Sequence, residues 1–305
     1  MSEIQVQLQQ GWPDSLEETA AFLDRNWAYD SIWPDLLAEK LTGDPCADPE
    51  LCLTAFAGDK MAGFIFCVRR TIRGQEFGYV KLMAVEQTWR RQKIGTRLYA
   101  EAEKRLMEKG AEVLRWYDVP MNYFMPGIDP RYTPAYCFAL KQGYSCFGEA
   151  INMLCDLDGK DFSTKAAEID LEAKGVEVRR ASQKDQQAIL QLLSVEWALW
   201  NNEVRMAMCD DPPSVHIAIQ NEEVKAFSVH NGNNKGTGWF GPMGTHPDLR
   251  GFGMGTVLLK RCLKDMQAQG HRQAIIPWVA PIAFYSHFVD AHIDRVFWRM
   301  EKEIQ

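Results

Sequence analysis

The apolar residues of the chain recur with two spacings, one typical of helices and one typical of strands. From Val257 to Leu263 they recur at helical spacing, which predicts a helix. The runs Leu51–Phe56 and Met61–Val68 flank a short turn and predict a β-hairpin, and Val215–Ile219 and Val224–Val229 predict another. The pattern therefore favours an α/β chain in which hairpins precede helices.

The chain also contains an internal repeat. The stretch Glu76–Gly110 returns without a gap at Gly236–Gly270, at a constant offset of 160 residues. Each copy reads as a strand, an arginine-containing loop and a helix that ends at a glycine suited to a left-handed C-cap. A further strand follows each helix, at Val113–Tyr117 and at Ala274–Val279. The repeat predicts two domains of one fold.

The boundary between the two domains is predicted from local signals. A strand at Val176–Arg180 opens the second copy, and Ser182-Gln183-Lys184-Asp185 has the sequence of a capping box that begins its first helix. The segment Asp158–Gly175 is charged and poor in large apolar residues, which indicates a linker. A chain of 305 residues is long enough for two domains. We therefore predict domains at residues 1–157 and 176–305, joined by residues 158–175.

Three glycines at alternate positions, Gly251, Gly253 and Gly255, stand where a loop becomes a helix. The first amides of a helix have no partner within it and carry the positive end of its dipole, so this junction favours an anion. An ordinary glycine-rich turn is the alternative. The spacing matches neither a Walker loop nor the dinucleotide fingerprint Gly-x-Gly-x-x-Gly.

The order of elements and the loop Arg250-Gly251-Phe252-Gly253-Met254-Gly255, preceded by Met243-Gly244-Thr245-His246-Pro247, resemble the GCN5-related N-acetyltransferase (GNAT) family. The resemblance implies an α/β fold with a mixed sheet in two tandem acyl-CoA N-acyltransferase domains. In the second domain, Ala283-Phe284-Tyr285 and Arg295–Trp298 take the places of the family's last helix and closing strand. In the first domain the loop is Arg90-Arg91-Gln92-Lys93-Ile94-Gly95, with Lys93 in place of the middle glycine.

The resemblance also implies the residues that bind acetyl-CoA, whose pyrophosphate contacts the loop in that family. In the second domain these are Met243, Gly244, Thr245, Arg250, Gly251, Phe252, Gly253, Met254, Gly255 and Thr256. Their counterparts in the first domain are Met83, Ala84, Val85, Arg90, Arg91, Gln92, Lys93, Ile94, Gly95 and Thr96. Lys93 can pair with phosphate, but its β-carbon disfavours a positive φ, so the second domain is the better candidate.

The implied activity is N-acetyl transfer from acetyl-CoA to a primary amine of a small molecule or peptide, by direct attack through a tetrahedral intermediate. Such a reaction needs a donor for the oxyanion and an acid for the thiolate. The resemblance assigns the donor to the backbone amide of Thr245, or of Val85 in the first domain, and the acid to Tyr285. Ala139 stands at the corresponding place in the first domain, which therefore lacks the acid.

The general base is left open by the sequence. His246 has a side chain whose ordinary pKa lies near neutrality, but a histidine before proline also suits a turn. The other candidates are Asp248, Glu196, Glu203 and, in the first domain, Glu86. A water relay is a further alternative.

Two further features have a structural and a functional interpretation each. The insertion Tyr117–Tyr132, which carries Asp129, follows the fifth strand of the first domain and is either a substrate-recognising rim or a packing element. The early helices of the two repeats contain four tryptophans, Trp27, Trp33, Trp197 and Trp200. We interpret them as core or interface residues in preference to residues that enclose a substrate.

The composition of the chain limits the classes of partner that it can bind. A formal net charge of −7 with no basic patch argues against nucleic acid and favours a cationic substrate. The chain has no apolar run of membrane-spanning length, its start lacks the features of a signal peptide, and its eight cysteines form no CxxC pair. We therefore expect a cytoplasmic protein with no membrane partner and no metal, of undetermined oligomeric state.

Two alternatives to this function stay open at the level of sequence. Catalysis by the first domain, with the second domain as a structural CoA binder, reverses the roles of the two repeats. A non-catalytic CoA-sensing or interaction module would bind the same ligand without turnover.

Overall fold

The computed structural model describes residues 5–304 and divides the chain into two compact units. Unit 1 comprises the chain up to Ala150 together with the residues from Val296 onward, and unit 2 comprises Ile151–Arg295. Residues 1–4 and 305, which belong to the predicted domains, lie outside the described residues. The two units match the predicted repeat, but their boundaries differ from residues 157 and 176.

Unit 1 is a mixed sheet with helices. Its strands are β1 (Gln7–Gln10), β2 (Cys52–Ala57), β3 (Lys60–Ile72), β4 (Gln75–Val85), β5 (Val113–Trp116), the first part of β6 (Ser145–Asp156) and the last part of β12 (His292–Glu303). Its helices are α1 (Leu16–Asn26), α2 (Pro34–Lys40), α3 (Ile94–Glu108) and α4 (Thr133–Lys141). The strand order is β1-β2-β3-β4-β5-β12-β6. The predicted first hairpin is confirmed as β2 and β3, which pair antiparallel.

Strands β4 and β5 pair in parallel over only four positions, from Phe77 opposite Val113 to Val80 opposite Trp116. Beyond this point β4 continues to Val85 while β5 ends, so this edge of β4 separates from its neighbour. An extra residue, Lys81, also lies in β4 where it pairs with β3, which makes a β-bulge. The bulge therefore stands where the two parallel strands part.

A buried ionic cluster surrounds this bulge. The Lys81 ammonium contacts the Asp44 carboxylate and donates to Asn122 Oδ1 at 2.6 Å. Arg70 of β3 donates to both Asp44 oxygens, at 2.9 and 2.7 Å, and to the carbonyl of Pro120 at 3.1 Å. Burial lowers the pKa of Lys81 to about 7 although Asp44 opposes the change. The cluster attaches the insertion 117–132 to the sheet, so the insertion is a packed part of unit 1.

Unit 2 repeats this fold. Its strands are the last part of β6, β7 (Val176–Arg180), β8 (Val215–Gln220), β9 (Glu223–His230), β10 (Phe240–Thr245), β11 (Gln273–Ile276) and the first part of β12. Its helices are α5 (Lys165–Glu172), α6 (Gln186–Glu196), α7 (Asn201–Met208), α8 (Met254–Ala268) and α9 (Ile282–Val289). The strands β10-β9-β8-β7 form one sheet, and β11 pairs antiparallel with the Met153–Asp156 part of β6. The second predicted hairpin is confirmed as β8 and β9.

Several local predictions are confirmed. Gly110 and Gly270 have φ of 87° and 91° after α3 and α8, as expected for left-handed C-caps. Strand β7 has the predicted bounds. Ser182 and Asp185 form the capping box, which encloses a 3₁₀ turn that leads into α6.

The segment 158–175 is not an open linker. It contains α5, whose Leu171 is buried with Val176, Leu249 and Leu258. Glu168 of α5 accepts from the guanidinium of Arg261 on α8 at 2.7 Å. A short helix needs only one apolar face to pack against a domain, and its other positions can be charged. The charged composition of this segment therefore predicted a linker although the segment contains a packed helix.

The closing strand also differs from its predicted place. The residues of β12 from Val296 onward belong to unit 1, where Glu301 pairs with Arg115 and Glu303 pairs with Val113 of β5. The sequence had placed Arg295–Trp298 in the second domain because it follows the second repeat. The strand pattern identifies a strand but not the edge that it joins.

The buried His230 of β9 makes unit 2 sensitive to acid. Burial lowers the pKa of His230 to about 4, and its Nδ1 has no hydrogen-bond partner in the described structure. The unfolded chain binds a proton below pH ~6.5 and the folded chain does so only near pH ~4, so stability falls as pH decreases through this window. We expect His230→Phe to reduce this loss by on the order of 3 kcal/mol.

Urea unfolding at pH 7 and at pH 4 measures this effect, with His292→Phe, an exposed site of unit 2, as the control. An equally steep acid dependence in wild type and His230→Phe would contradict the assignment.

Candidate active site

The loop between β10 and α8 has an unusual backbone. After Thr245 the chain makes a 3₁₀ turn, Pro247–Leu249, and then passes through Gly251 and Gly253 with φ of 84° and 83°. A β-carbon built on either glycine meets no atom within 4 Å. Gly253 is the N-cap of α8 and offers no side chain to the first amides. An open cradle of backbone N–H groups therefore lies at the start of a 15-residue helix.

The loop between β4 and α3 has the same backbone. Arg91 and Lys93 occupy the positions of Gly251 and Gly253 and have φ of 67° and 62°. Lys93 is the left-handed N-cap of α3 and is exposed. A left-handed conformation costs a residue with a β-carbon roughly 1–2 kcal/mol. The β-carbon of Lys93 disfavours this conformation, but the fold imposes it nevertheless.

The arginine of each loop hydrogen-bonds the strand that precedes it. Arg250 Nε donates to the carbonyl of Thr245 at 3.4 Å, and Arg90 Nε donates to the carbonyl of Val85 at 3.1 Å. Arg90 also donates to the carbonyl of Asn26 at 3.0 Å. These contacts give both arginines a role in shaping the turn.

The remaining loop residues divide into buried and open ones. The side chains of Met254 and Ile94 are buried and anchor the starts of α8 and α3 in the core. Gly255 and Gly95 are partly accessible and lie beside Phe284 and Phe138, whose ring atoms are 3.4 and 3.9 Å from a β-carbon built there. The exposed residues are Arg90, Arg91, Gln92, Lys93, Thr96, Arg250, Gly251, Phe252 and Gly253. Thr256 is partly buried.

Strand β10 offers an unpaired edge beside this cradle. Trp239, just before β10, forms an isolated bridge with Ile275 of β11, whereas Met243, Gly244 and Thr245 pair only with β9 among the described strands. One extra residue lies between Phe240 and Met243, which makes a bulge at the position equivalent to Lys81. An extended amide-containing ligand can pair with such an edge. In unit 1, Met83, Ala84 and Val85 form the equivalent edge.

A tryptophan covers each strand end, a place that the sequence pattern did not predict. Trp27 caps the C-terminus of α1, and its Nε1 donates to the carbonyl of Met83 at 3.1 Å. Trp197 caps α6, and its ring lies so close to Gly244 that a β-carbon there would be 2.9 Å from it. The sequence signal that could have predicted this place is that each tryptophan stands at the end of the first helix of its repeat.

Tyr285 lies in the core of unit 2. Its side chain is buried, and its ring centre is 6.1 Å from that of Phe240 and 5.1 Å from that of Phe284. Burial raises the pKa of Tyr285 to about 12. Phe284 and Phe138 lie over equivalent glycines, so Ala139 is the counterpart of Tyr285, as the sequence indicated.

The candidate bases are held by local contacts. His246 is the N-cap of the 3₁₀ turn, with its Nδ1 3.4 Å from the Asp248 amide and 3.2 Å from the Asp248 carboxylate. Glu86 follows β4 at the equivalent place and accepts from Arg25 at 3.0 Å. Burial raises the pKa of Glu86, but hydrogen bonds from Arg25 and Asn26 outweigh it and lower the pKa. Glu196 is exposed at the end of α6, whereas Glu203 is buried.

Within residues 5–304, no three His, Cys, Asp or Glu side chains are grouped so that they could hold a metal ion. Over the same residues, no helix has the length and apolar character needed to cross a bilayer.

The sequence matches a known family in both repeats. The model of the Acetyltransferase (GNAT) family matches residues 17–124 and residues 183–287. The chain belongs to the GNAT family. The predicted family, the tandem arrangement and the fold class are thereby confirmed.

A curated relative is similar to this chain over a short stretch. N-alpha-acetyltransferase 30 of Dictyostelium discoideum is 35% identical over 60 residues, which are 20% of this chain and 32% of the relative. The chain thus spans about a third of the length of this curated relative.

Solved structures share the fold at low identity. The GCN5-related glucosamine N-acetyltransferase region of a fungal multi-domain GH3 beta-N-acetylglucosaminidase has a TM-score of 0.81 at 16% identity, covering 99% of this chain and 38% of that one. A GCN5-related N-acetyltransferase from Sphaerobacter thermophilus has a TM-score of 0.70 at 15% identity, covering 98% of this chain and 96% of that one. The GNAT fold therefore extends over both repeats.

The left-handed conformation of Lys93 can be tested by substitution. A β-branched residue is a backbone outlier at positive φ, whereas glycine adopts it freely. We expect Lys93→Val to lower the free energy of unfolding by about 1–2 kcal/mol relative to Lys93→Gly. Urea denaturation measures the difference, and the same pair of substitutions at exposed Lys104 in α3 serves as control. Equal stability of the two variants at position 93 would mean that the loop adopts another conformation.

Proposed function

We propose that this GNAT protein transfers an acetyl group from acetyl-CoA to a primary amine of a small molecule or peptide, and that unit 2 performs the transfer. The observation that carries the proposal is the open left-handed cradle at Gly251 and Gly253, which adjoins the unpaired edge of β10. An anion and an extended amide chain are the two things that this arrangement suits.

The residues of unit 2 fit coenzyme A. Its pyrophosphate is an anion that suits the amides between Gly251 and Thr256, and its pantetheine arm carries amides that suit the edge at Met243–Thr245. When bound, acetyl-CoA supplies an acetyl group activated as a thioester. A β-carbon built at Gly251 or Gly253 meets no atom within 4 Å, so the approach to these amides is open.

The residues of the chain then supply three functions. The amide of Thr245, at the end of the unpaired edge, donates to the oxygen that becomes negative. The hydroxyl of Tyr285 donates to the departing thiolate; with its pKa raised to about 12, it acts as a hydrogen-bond donor more than as a source of a free proton. His246, half-buried at the exit of β10, is the proposed base, directly or through water.

Catalysis by unit 1 is a second candidate, and one observation favours it. Arg91 and Lys93 are held in a costly left-handed conformation, and such strain is typical of functional sites. Two observations argue against catalysis by unit 1. Ala139 stands where unit 2 has Tyr285, and the Met83 carbonyl already accepts a hydrogen bond from Trp27. We therefore assign acetyl transfer to unit 2 and allow anion binding in both loops.

The acceptor belongs to the class of amines. A net charge of −7 favours a cationic acceptor, which an unreacted amine is at neutral pH. The structural relative described as a glucosamine N-acetyltransferase adds amino sugars to the panel of acceptors worth testing. We propose a cytoplasmic location, because free thiols such as those of the buried Cys67 and Cys262 suit a reducing compartment.

Binding of acetyl-CoA distinguishes the two units. We expect saturating acetyl-CoA to raise the melting temperature of the wild type by about 5–10 °C, because a ligand of the native state stabilises it by mass action. Gly253→Glu puts a carboxylate into the cradle of unit 2 and should abolish most of this shift, while Gly95→Glu, in unit 1, should retain it. An unchanged shift in Gly253→Glu would refute the assignment to unit 2.

Turnover distinguishes an enzyme from a CoA-sensing module. We expect release of free CoA thiol with at least one amine of a panel containing glucosamine, polyamines and peptide N-termini. Tyr285→Phe should lower kcat about 100-fold and leave acetyl-CoA binding unchanged, because only the hydroxyl is removed. Phe288→Tyr changes an exposed ring of the same helix, leaves the Tyr285 hydroxyl in place and is the control. A panel without turnover despite tight binding would favour the sensor.

A further inference from the structure

Unit 1 contains a cleft that lies outside the pyrophosphate loop. It has a volume of about 550 Å³ and is bounded by the β1–α1 connection, α1, the β2–β3 turn and the residues that follow β4. This volume falls within the range of small-molecule sites, roughly 300–1,000 Å³. This cleft has no part in the proposed acetyl transfer.

The floor of the cleft is aromatic and apolar. The residues that give it this character are Trp12, Phe22, Phe56, Met61 and Trp89. Phe22 is buried, and the ring of Trp12 lies 5.7 Å from that of Phe66, so the floor is fixed by the core. Aromatic faces attract cations and also accept methylene groups.

The rim of the cleft is acidic. Asp14, Glu18 and Asp59 line it from three different elements, and their carboxylates make no hydrogen bond or ion pair in the described structure. Glu86 also lines the cleft, but Arg25 neutralises it at 3.0 Å. Lys60 is then the one cation left among the described lining residues, so the rim carries a surplus of two negative charges.

This combination specifies the chemistry of an occupant. Separated carboxylates around an apolar floor match a ligand with two or more positive charges joined by methylene groups. A metal ion would leave the aromatic floor without contacts, and a monoamine would leave carboxylates unpaired. We propose that the cleft of unit 1 binds an aliphatic polyamine.

The site does not depend on the proposed acetyl transfer. Binding at the cleft is measured without acetyl-CoA and without turnover, so failure of one proposal leaves the other standing. Neither Glu18 nor Asp59 belongs to the loops or strand edges assigned to acetyl-CoA, which makes them suitable for substitution.

The test is isothermal titration of the full chain with spermidine, with Mg²⁺ and butylamine as comparison ligands. We expect saturable binding of spermidine and weaker binding of both others. The double variant Glu18→Gln/Asp59→Asn should weaken spermidine binding about three- to tenfold, since each exposed ion pair contributes modestly. Lys60→Gln should strengthen it, and added salt should weaken it.

The control is Glu17→Gln, which removes a neighbouring exposed charge of α1 that does not line the cleft, and it should bind spermidine like the wild type. Melting temperatures of all variants verify folding. Absence of saturable binding, wild-type affinity in the double variant, or equal affinity for Mg²⁺ would overturn the proposal. A lysine-rich peptide that binds more tightly than spermidine would replace the polyamine with a protein partner.

Discussion

The candidate site depends on one backbone constraint, the need for left-handed conformations at two alternate residues just before a helix. This geometry leaves the first amides of α8 open beside Gly251 and Gly253. The surrounding contacts serve it: Arg250 is bonded to the end of β10, and the buried Met254 fixes the start of the helix. In unit 1 the same path is taken by Arg91 and Lys93, so the fold and not the residue type dictates the conformation.

The second shared device is the bulge in the strand that precedes the loop. An extra residue lies at equivalent places in β4 and β10, where the strand parts from its parallel neighbour. Unit 1 surrounds its bulge with the ionic cluster of Asp44, Arg70 and Lys81, whereas unit 2 has Gly241 and Pro242 there. Removing one partner of a buried ion pair leaves the other charge buried and uncompensated, which is strongly destabilising. The cluster therefore holds the strand and the insertion together.

The two units thus keep one framework and differ in their reactive groups. Tyr285 in unit 2 corresponds to Ala139 in unit 1, and Trp197 contacts Gly244 where Trp27 bonds to the carbonyl of Met83. The acidic cleft of unit 1 adds a feature that borders the turn just before the shared loop, where Glu86 and Trp89 line it. A repeated fold can therefore separate acyl transfer from ligand recognition, because the framework is maintained by core and backbone contacts while the exposed side chains vary.

The sequence by itself determined the repeat, the two hairpins, the helix ends at Gly110 and Gly270, and the loop that identifies the family. These features depend on local spacing and on the conformations that glycine permits, which neighbouring residues specify. Tertiary structure alone decided that β12 enters unit 1, that α5 packs where a linker was expected, and that Tyr285 is buried enough for its pKa to rise to about 12. Strand partners, docking and burial depend on residues distant in the chain, and no local pattern records those contacts.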